Sequence, residues 1–178
     1  MADVSVRPAR PADAERVAHL QLATWREAYP FLPAEALDVP LDQAAALWLR
    51  AIEVPPSAQH RLLVAMERDE LVGFAASEPA ELGTAELTAL LVEPRWGRRG
   101  HGARLVAATV DHWRGDGVAI AQHWAWARDG ATRAFLVSAG WDRDGATREL
   151  DLGERSERQV RFHTSLTEPD LVSADLTG

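Results

Sequence analysis

The residues with the clearest chemical potential lie at positions 92–105, V-E-P-R-W-G-R-R-G-H-G-A-R-L, where an apolar run ends in a turn rich in arginine and glycine. A helix is predicted to begin in this turn. The first amides of a helix lack intrahelical acceptors, the helix dipole adds partial positive charge, and glycines let a ligand approach the backbone. Arg98 and Arg99 add two full charges. We therefore expect a phosphate site here, and most simply a pyrophosphate site.

Length and composition narrow the class of protein. The chain has 178 residues, 47% of them hydrophobic, which suits one domain with a full core. Neither a long uncharged apolar run nor a signal-peptide pattern occurs, so we expect a soluble, cytoplasmic protein. The absence of cysteine excludes disulfides, cysteine-ligated zinc and thiol nucleophiles. The histidines show no metal-ligand spacing, and no metal is expected.

The charge balance bears on partners and origin. The formal net charge of -8 comes from 27 acidic and 19 basic residues, which argues against nucleic-acid binding driven by phosphate neutralisation. Membrane association is not expected either. All the basic residues are arginine, and together with the abundance of alanine this indicates a bacterial genome of high GC content.

The elements that must position the glycine turn follow from hydrophobic periodicity. Helical spacing predicts helices from Asp13 to about Tyr29 and at 41–52, 102–113 and 131–138. Strands are predicted at 4–7, 61–66, 71–77, 85–92, 118–126, 141–151 and 159–166. This order predicts one mixed α/β domain over 1–166, with a helix crossing between two parallel strands and the phosphate turn at that crossover. The acidic residues 167–178 lack periodicity and are predicted to form a mobile tail.

Two motifs resemble those of the GCN5-related N-acetyltransferase (GNAT) superfamily. The run at 90–105 matches the family's Gln/Arg-x-x-Gly-x-Gly/Ala motif through Gly100 and Gly102, with Gly97 at the Gln/Arg position. The run D-G-A-T-R-A-F-L-V-S-A-G-W at 129–141 matches the second motif through Phe135, with Asp129 replacing asparagine and Leu136 replacing tyrosine. The resemblance extends to about residue 166. It implies a largely antiparallel sheet of six to seven strands, flanked by helices, whose central parallel strands splay apart.

The resemblance also implies acetyl-CoA as co-substrate and assigns residues to it. The pyrophosphate is expected on the turn, at Arg98, Arg99, Gly100, His101, Gly102 and Ala103. The pantetheine arm is expected to pair with the strand at Leu90, Leu91 and Val92, and the second motif adds Asp129 and Phe135. In this family the first two helices and their loop wall the acceptor pocket, which implies acceptor contacts at Trp25, Tyr29 and Phe31.

Acyl transfer from a thioester to an amine requires a base, an oxyanion donor and a fate for the thiolate. By analogy with the family, the Val92 amide is the expected oxyanion donor. Strict strand alternation places Glu86 on the face of Leu90 unless a bulge intervenes, which makes Glu86 the first candidate base. His123 is the alternative base. Leu136 cannot donate a proton, so the thiolate leaves unassisted or takes its proton from water or from the acceptor.

The resulting hypothesis is an acetyl-CoA-dependent N-acetyltransferase that acts on a primary amine of a small molecule or peptide by direct attack in a ternary complex. Net acidity favours a cationic acceptor. The alternative is a catalytically weak acyl-CoA-binding sensor or interaction module. A different nucleotide-binding α/β domain is disfavoured, because residues 118–126 lack the acidic ribose contact that such folds use. The oligomeric state is left open, a homodimer included.

Overall fold

The computed structural model describes residues 4–167, which form one seven-stranded sheet with helices on both faces. The predicted tail, apart from Thr167, lies outside these residues. The strands are β1 (Val4–Pro8), β2 (Arg61–Glu67), β3 (Glu70–Pro79), β4 (Thr84–Val92), β5 (Ile120–Trp126), β6 (Asp142–Asp151) and β7 (Ser156–Ser165). The helices are α1 (Ala14–Ala28), α2 (Ala34–Leu37), α3 (Leu41–Glu53), α4 (His101–Gly115) and α5 (Gly130–Ser138). Short 3-10 turns precede α1 and α4 at Pro11–Asp13 and Pro94–Trp96.

The strand order is β1-β2-β3-β4-β5-β7-β6, and every neighbouring pair is antiparallel except β4 and β5. These two run parallel because α4 crosses between them, as the sequence predicts. Their registered pairing is confined to three pairs, Thr84–Ile120, Ala85–Ala121 and Glu86–Gln122. Beyond them the strands part. The expected splayed pair at the centre of a largely antiparallel sheet is therefore present.

A bulge in β4 changes which face its side chains occupy. Ala76 of β3 pairs with Ala89, and the next residue, Ser77, pairs with Leu87, so no residue of β3 is in register with Thr88. Leu87, before the bulge, and Leu90, after it, pack on the same face of the sheet. Glu86 and Leu90 consequently lie on opposite faces. The strict alternation expected for this strand is corrected at Thr88.

Two hydrophobic cores lie on the two faces of the sheet. The α4-side core includes Leu87, Leu105, Trp113, Leu136 and Phe162. The α1-side core includes Val17, Leu20, Val64, Phe74 and Leu91. Trp113 and Phe74 are fully buried, and burial of a large apolar side chain contributes about 1.5–3 kcal/mol to stability. These cores hold the sheet and its helices in place around the gap between β4 and β5.

A partly buried ion pair joins the edge strand β1 to the residue at the start of the first long helix. The guanidinium of Arg7 in β1 donates to both carboxylate oxygens of Asp13, at 2.7 and 3.0 Å, and the Arg10 amide donates to the same carboxylate at 2.7 Å. Asp13 is buried. The Arg7 guanidinium and the Arg10 amide lower the pKa of Asp13 against the opposing effect of burial. This contact fixes where α1 starts.

For most helices and strands, the predicted first and last residues lie within about three residues of the observed ones. Helix α2 is absent from the prediction because four residues carry too little periodicity to be recognised. Within residues 4–167, no helix has the length and apolar character needed to cross a membrane.

Candidate functional site

The glycine turn has the geometry of an anion site. Gly100 has a φ of 81° and Arg98 a φ of 62°, and this left-handed backbone turns the chain into α4. No side chain hydrogen-bonds at the N-cap of α4. The amides of His101, Gly102 and Ala103, in the first helical turn, therefore lack both an intrahelical acceptor and a capping side chain. Unpaired amides at a helix start, beside an arginine, favour a phosphate.

A cavity of about 460 Å³, which we call the turn cavity, lies over these amides. Arg98 lines it, whereas Arg99 does not. Beside the turn it is bordered by Leu90 and Val92 of β4 and by Phe135 of α5. The structure thus brings the first motif, the second motif and the β4 strand to one cavity.

The side chains of Arg99 and His101 contact Glu67 at the end of β2. Arg99 Nη1 lies 3.0 Å from Glu67 Oε1, and His101 Nε2 lies 2.8 Å from Glu67 Oε2. The Arg99 guanidinium also lies 4.8 Å from the centre of the Trp96 ring. His101 is only 1% exposed, so its imidazole points into the protein and its backbone amide is the group available to a ligand.

The backbone of β4 presents hydrogen-bonding groups to the gap. The Glu93 amide donates to the Val72 carbonyl of β3 at 2.9 Å. Because backbone groups alternate in direction along a strand, the amides of Leu90 and Val92 point away from β3 towards the gap. No β5 residue is in register with them. These amides are free to bind an extended ligand.

A second cavity, of about 150 Å³, lies between the parting strands, and we call it the strand-gap cavity. Leu90 and Thr132 line both cavities, so the two spaces meet at these residues. The remaining lining comes from α1, β4, β5, α5 and β7. It includes Trp25, Tyr29, Thr88, His123, Trp124, Asp129 and Gln159. Neither Thr132 nor Gln159 is among the residues predicted from the sequence, although Thr132 stands within the second motif.

His123 reaches across the gap. Its Nδ1 lies 2.5 Å from the carbonyl oxygen of Leu87, and the residue is buried at the wall of the strand-gap cavity. Burial lowers the pKa of His123, partly offset by the bond to Leu87 and by the negative charges of Glu86 and Asp129. The neutral imidazole must donate from Nδ1 to a carbonyl, which leaves the Nε2 lone pair as an acceptor.

Glu86, the other candidate base, differs from His123 in its position. Gln122 Nε2 donates to Glu86 Oε2 at 3.0 Å, and Glu86 does not line either cavity described above. It remains close enough for its charge to influence His123.

The only tyrosine of the chain lies at the site, 100 residues from its partner in sequence. Tyr29 donates from its hydroxyl to Asp129 Oδ2 at 2.7 Å, and Asp129 Oδ1 accepts the Thr132 amide at 2.9 Å, which caps α5. Burial raises the pKa of Tyr29 well above its usual range, and the Asp129 carboxylate raises it further. Trp25 and Tyr29, the predicted acceptor contacts, both line the strand-gap cavity.

Two other positions lie outside the cavity walls. Phe31 does not line the strand-gap cavity but packs edge-on against Trp126, which does, at 5.7 Å between ring centres. Leu136, which stands where the family motif has tyrosine, is 0% exposed in the α4-side core. A proton donor is therefore missing at that position of the fold.

Comparison with known proteins indicates the same class of protein as the geometry of the site. A family model described as the acetyltransferase (GNAT) family matches residues 15–141. A search of curated proteins gives no match. Among the residues described, no group of three or more acidic or histidine side chains could hold a metal ion.

Solved structures match the fold over nearly all of the chain. The PaiA N-acetyltransferase of Thermoplasma acidophilum, solved with coenzyme A, is 14% identical, with a TM-score of 0.72 over 92% of this chain and 99% of its own. YncA of Salmonella typhimurium, solved with acetyl-CoA, is 17% identical, with a TM-score of 0.73 over 97% and 99%. The ribosomal-protein-S18-alanine N-acetyltransferase of Escherichia coli is 16% identical, with a TM-score of 0.68 over 95% and 97%. At these identities the likeness is one of fold.

Proposed function

The chain belongs to the acetyltransferase (GNAT) family, and we propose that it transfers the acetyl group of acetyl-CoA to a primary amine by direct attack in a ternary complex. The observation that carries this proposal is the meeting of the turn cavity and the strand-gap cavity at Leu90 and Thr132. One cavity has the groups that bind a diphosphate. The other has polar side chains suited to handling a proton.

The turn cavity fits the co-substrate in charge and shape. The diphosphate would lie on the amides of residues 100–103, with Arg98 supplying a full positive charge. The pantetheine arm would run along the side of β4 that faces the gap, as an added strand. Phe135 would pack beside it. In this assignment His101 would bind through its backbone amide, whereas Arg99, which does not line the cavity and is paired with Glu67, would not contact the diphosphate directly.

Within the gap, the Val92 amide would donate to the carbonyl oxygen of the thioester as negative charge develops on it. The acceptor amine forms the new N–C bond, the C–S bond breaks, and the amine gives up one proton. The Nε2 lone pair of His123 would receive that proton directly or through water. Its position at the cavity wall favours His123 over the predicted base, Glu86, which remains the alternative.

Neither Leu136 nor Tyr29 would supply an acid for the thiolate. Leu136 is buried in the core, and the Tyr29 proton is bound to Asp129. A thiol pKa near 8.5 allows the sulfur to leave as a thiolate and take its proton from solvent. Tyr29 would then act as a positioning residue that holds Asp129 and the start of α5.

The test is to mix the protein with acetyl-CoA and a panel of amines, namely amino acids, amino amides, polyamines, aminoglycosides and peptides with free N-termini, and to follow thiol release. Acceptor-dependent release of coenzyme A supports the proposal. Tight acetyl-CoA binding without turnover on any acceptor would contradict it and would favour the sensor or interaction module. Calorimetry that detects no coenzyme A binding to the folded protein would contradict both.

A further inference from the structure

Trp124 and Gln159 form part of the wall of the strand-gap cavity, and a guanidinium rests on them. Arg148 of β6 places its guanidinium carbon 4.4 Å from the centre of the Trp124 ring. Arg148 Nε donates to Gln159 Oε1 at 2.7 Å. The stacking and the hydrogen bond together fix the guanidinium beside the cavity and leave its terminal N–H groups free to bind.

The neighbouring arginines of the β6 and β7 pair are already neutralised. Arg161 Nε lies 2.6 Å from Asp144 Oδ2, and Arg158 Nε lies 2.6 Å from Glu149 Oε1. Arg148 has no carboxylate partner among residues 4–167, because its one side-chain partner is a neutral amide. Its charge nevertheless reaches the reaction site, since it contributes to the lowered pKa of His123.

Other groups at or near the cavity carry negative charge. The Asp129 carboxylate lines the cavity near the start of α5, and the Glu86 carboxylate lies close enough to act on His123. A ligand with a positive and a negative end would therefore meet complementary charge at both. A guanidinium with free terminal N–H groups matches a carboxylate, to which it can donate two parallel hydrogen bonds.

We propose that Arg148 binds a carboxylate of the acceptor, so that the substrate is a small amine that also carries a carboxylate, as a free amino acid does. This inference rests on the proposed function and narrows its substrate class. It replaces the expectation of a cationic acceptor, which followed from net charge alone, by one based on the charge at the site. The ammonium end would lie towards Asp129 and His123, and the carboxylate towards Arg148.

The experiment compares free amino acids with the corresponding amino amides and decarboxylated amines in the thiol-release assay. We expect kcat/KM to be highest for the amino acids. Arg148→Gln should lower kcat/KM for the amino acids by about ten-fold or more, because a hydrogen-bonded charge pair is lost, and should leave the amide reactions and the KM for acetyl-CoA almost unchanged. Arg148→Lys should restore part of the loss, since lysine keeps the charge without the planar fork. Arg143→Gln, an exposed arginine of the same strand, is the matched control.

Different results would contradict the carboxylate site and the proposed acetyltransferase activity. Turnover that favours amides or polyamines, or an Arg148→Gln loss that is equal for every acceptor, overturns the carboxylate assignment but leaves the acetyltransferase intact. If no acceptor turns over, calorimetry of amino acids and amino amides against the coenzyme A-loaded protein decides. Amino-acid binding that Arg148→Gln weakens supports the carboxylate site, and binding that ignores the carboxylate or the substitution overturns it.

Discussion

The Nδ1 atom of His123 lies 2.5 Å from the carbonyl oxygen of Leu87, and this contact joins β5 to β4 just past their last registered pair. A side chain thereby takes the place of the backbone bond that the parting strands lose. It also sets the tautomer of the imidazole, because the nitrogen that donates to a carbonyl must carry the hydrogen. The same residue thus links the two strands at the gap and keeps an Nε2 lone pair that is free of this contact.

Replacing His123 by asparagine should separate these two roles. Asparagine can keep a donor near the Leu87 carbonyl but has no basic nitrogen, so we expect kcat to fall about 100-fold, the lower end of general-base effects, with little change in the KM for acetyl-CoA. Glu86→Gln should change kcat by only a few-fold. Steady-state kinetics of the two variants decides between the two bases, and the reverse ranking would assign the role to Glu86.

His123 should also make stability depend on pH. Its folded pKa is lowered from 6.5 by burial, so between these two values the unfolded chain binds a proton that the folded chain does not. The contribution is therefore complete above pH 6.5 and is lost as the pH falls through the folded pKa. Thermal unfolding of the wild type and of His123→Asn from about pH 8 to about pH 5 measures it. Parallel curves for the two proteins would show that His123 contributes nothing.

Arg98 and Arg99 should differ in their contribution to co-substrate binding. Arg98 lines the turn cavity, whereas Arg99 is paired with Glu67. We expect Arg98→Gln to raise the Kd for coenzyme A by about ten-fold, as for a lost charged hydrogen bond, and Arg99→Gln to raise it less. Calorimetry at two salt concentrations measures both values. Pantetheine, which lacks the diphosphate, should bind the two variants and the wild type alike, and a loss there would place the effect elsewhere.

Gly100 and Gly117 form a matched pair for the backbone of the turn. Both have left-handed φ values, 81° and 75°, at the two ends of α4. Alanine at either position should cost about 1–2 kcal/mol of stability from the left-handed backbone alone. Only Gly100→Ala should also weaken coenzyme A binding, because only Gly100 borders the anion site. Equal Kd values for the two variants would remove Gly100 from the site.

The Arg7–Asp13 pair should matter for stability but not for catalysis. Asp13→Asn leaves Arg7 beside a neutral amide, and we expect the free energy of unfolding to fall by about 2–3 kcal/mol, in the range for a broken charged contact that is partly exposed. The folded pKa of Asp13 is lowered from 3.8, so its contribution is present above pH 3.8 and is lost as the pH falls below it. Urea unfolding at neutral pH and near pH 3 measures both effects. A larger loss in the variant at the acidic pH would contradict the assignment.

The features of the fold that the sequence predicts are those set by residues close together in the chain. The glycine turn, the crossover helix and the parallel strands depend on spacing within about thirty residues, and each was predicted with nearly correct bounds. The family prediction is confirmed for the same reason, because both motifs are local.

Long-range geometry accounts for the rest. The bulge at Thr88 leaves no mark in the sequence, yet it moves Glu86 to the face opposite Leu90. Tyr29 and Asp129 are 100 residues apart and meet only when the end of α1 lies near the start of α5. The guanidinium of Arg148 stacks on Trp124, which lies on β5, and β5 is not adjacent to β6 in the sheet. Hydrophobic periodicity carries no information on such contacts.

The side of β4 that faces the gap, beyond its registered pairs with β5, has one further consequence. A ligand that binds to main-chain amides reads the path of the strand and not the identity of its side chains. Mutation can then change residues along this edge for as long as the path is kept, and selection for the ligand places little restraint on them. The solved structures named above share the fold over more than nine-tenths of this chain with about one residue in six identical.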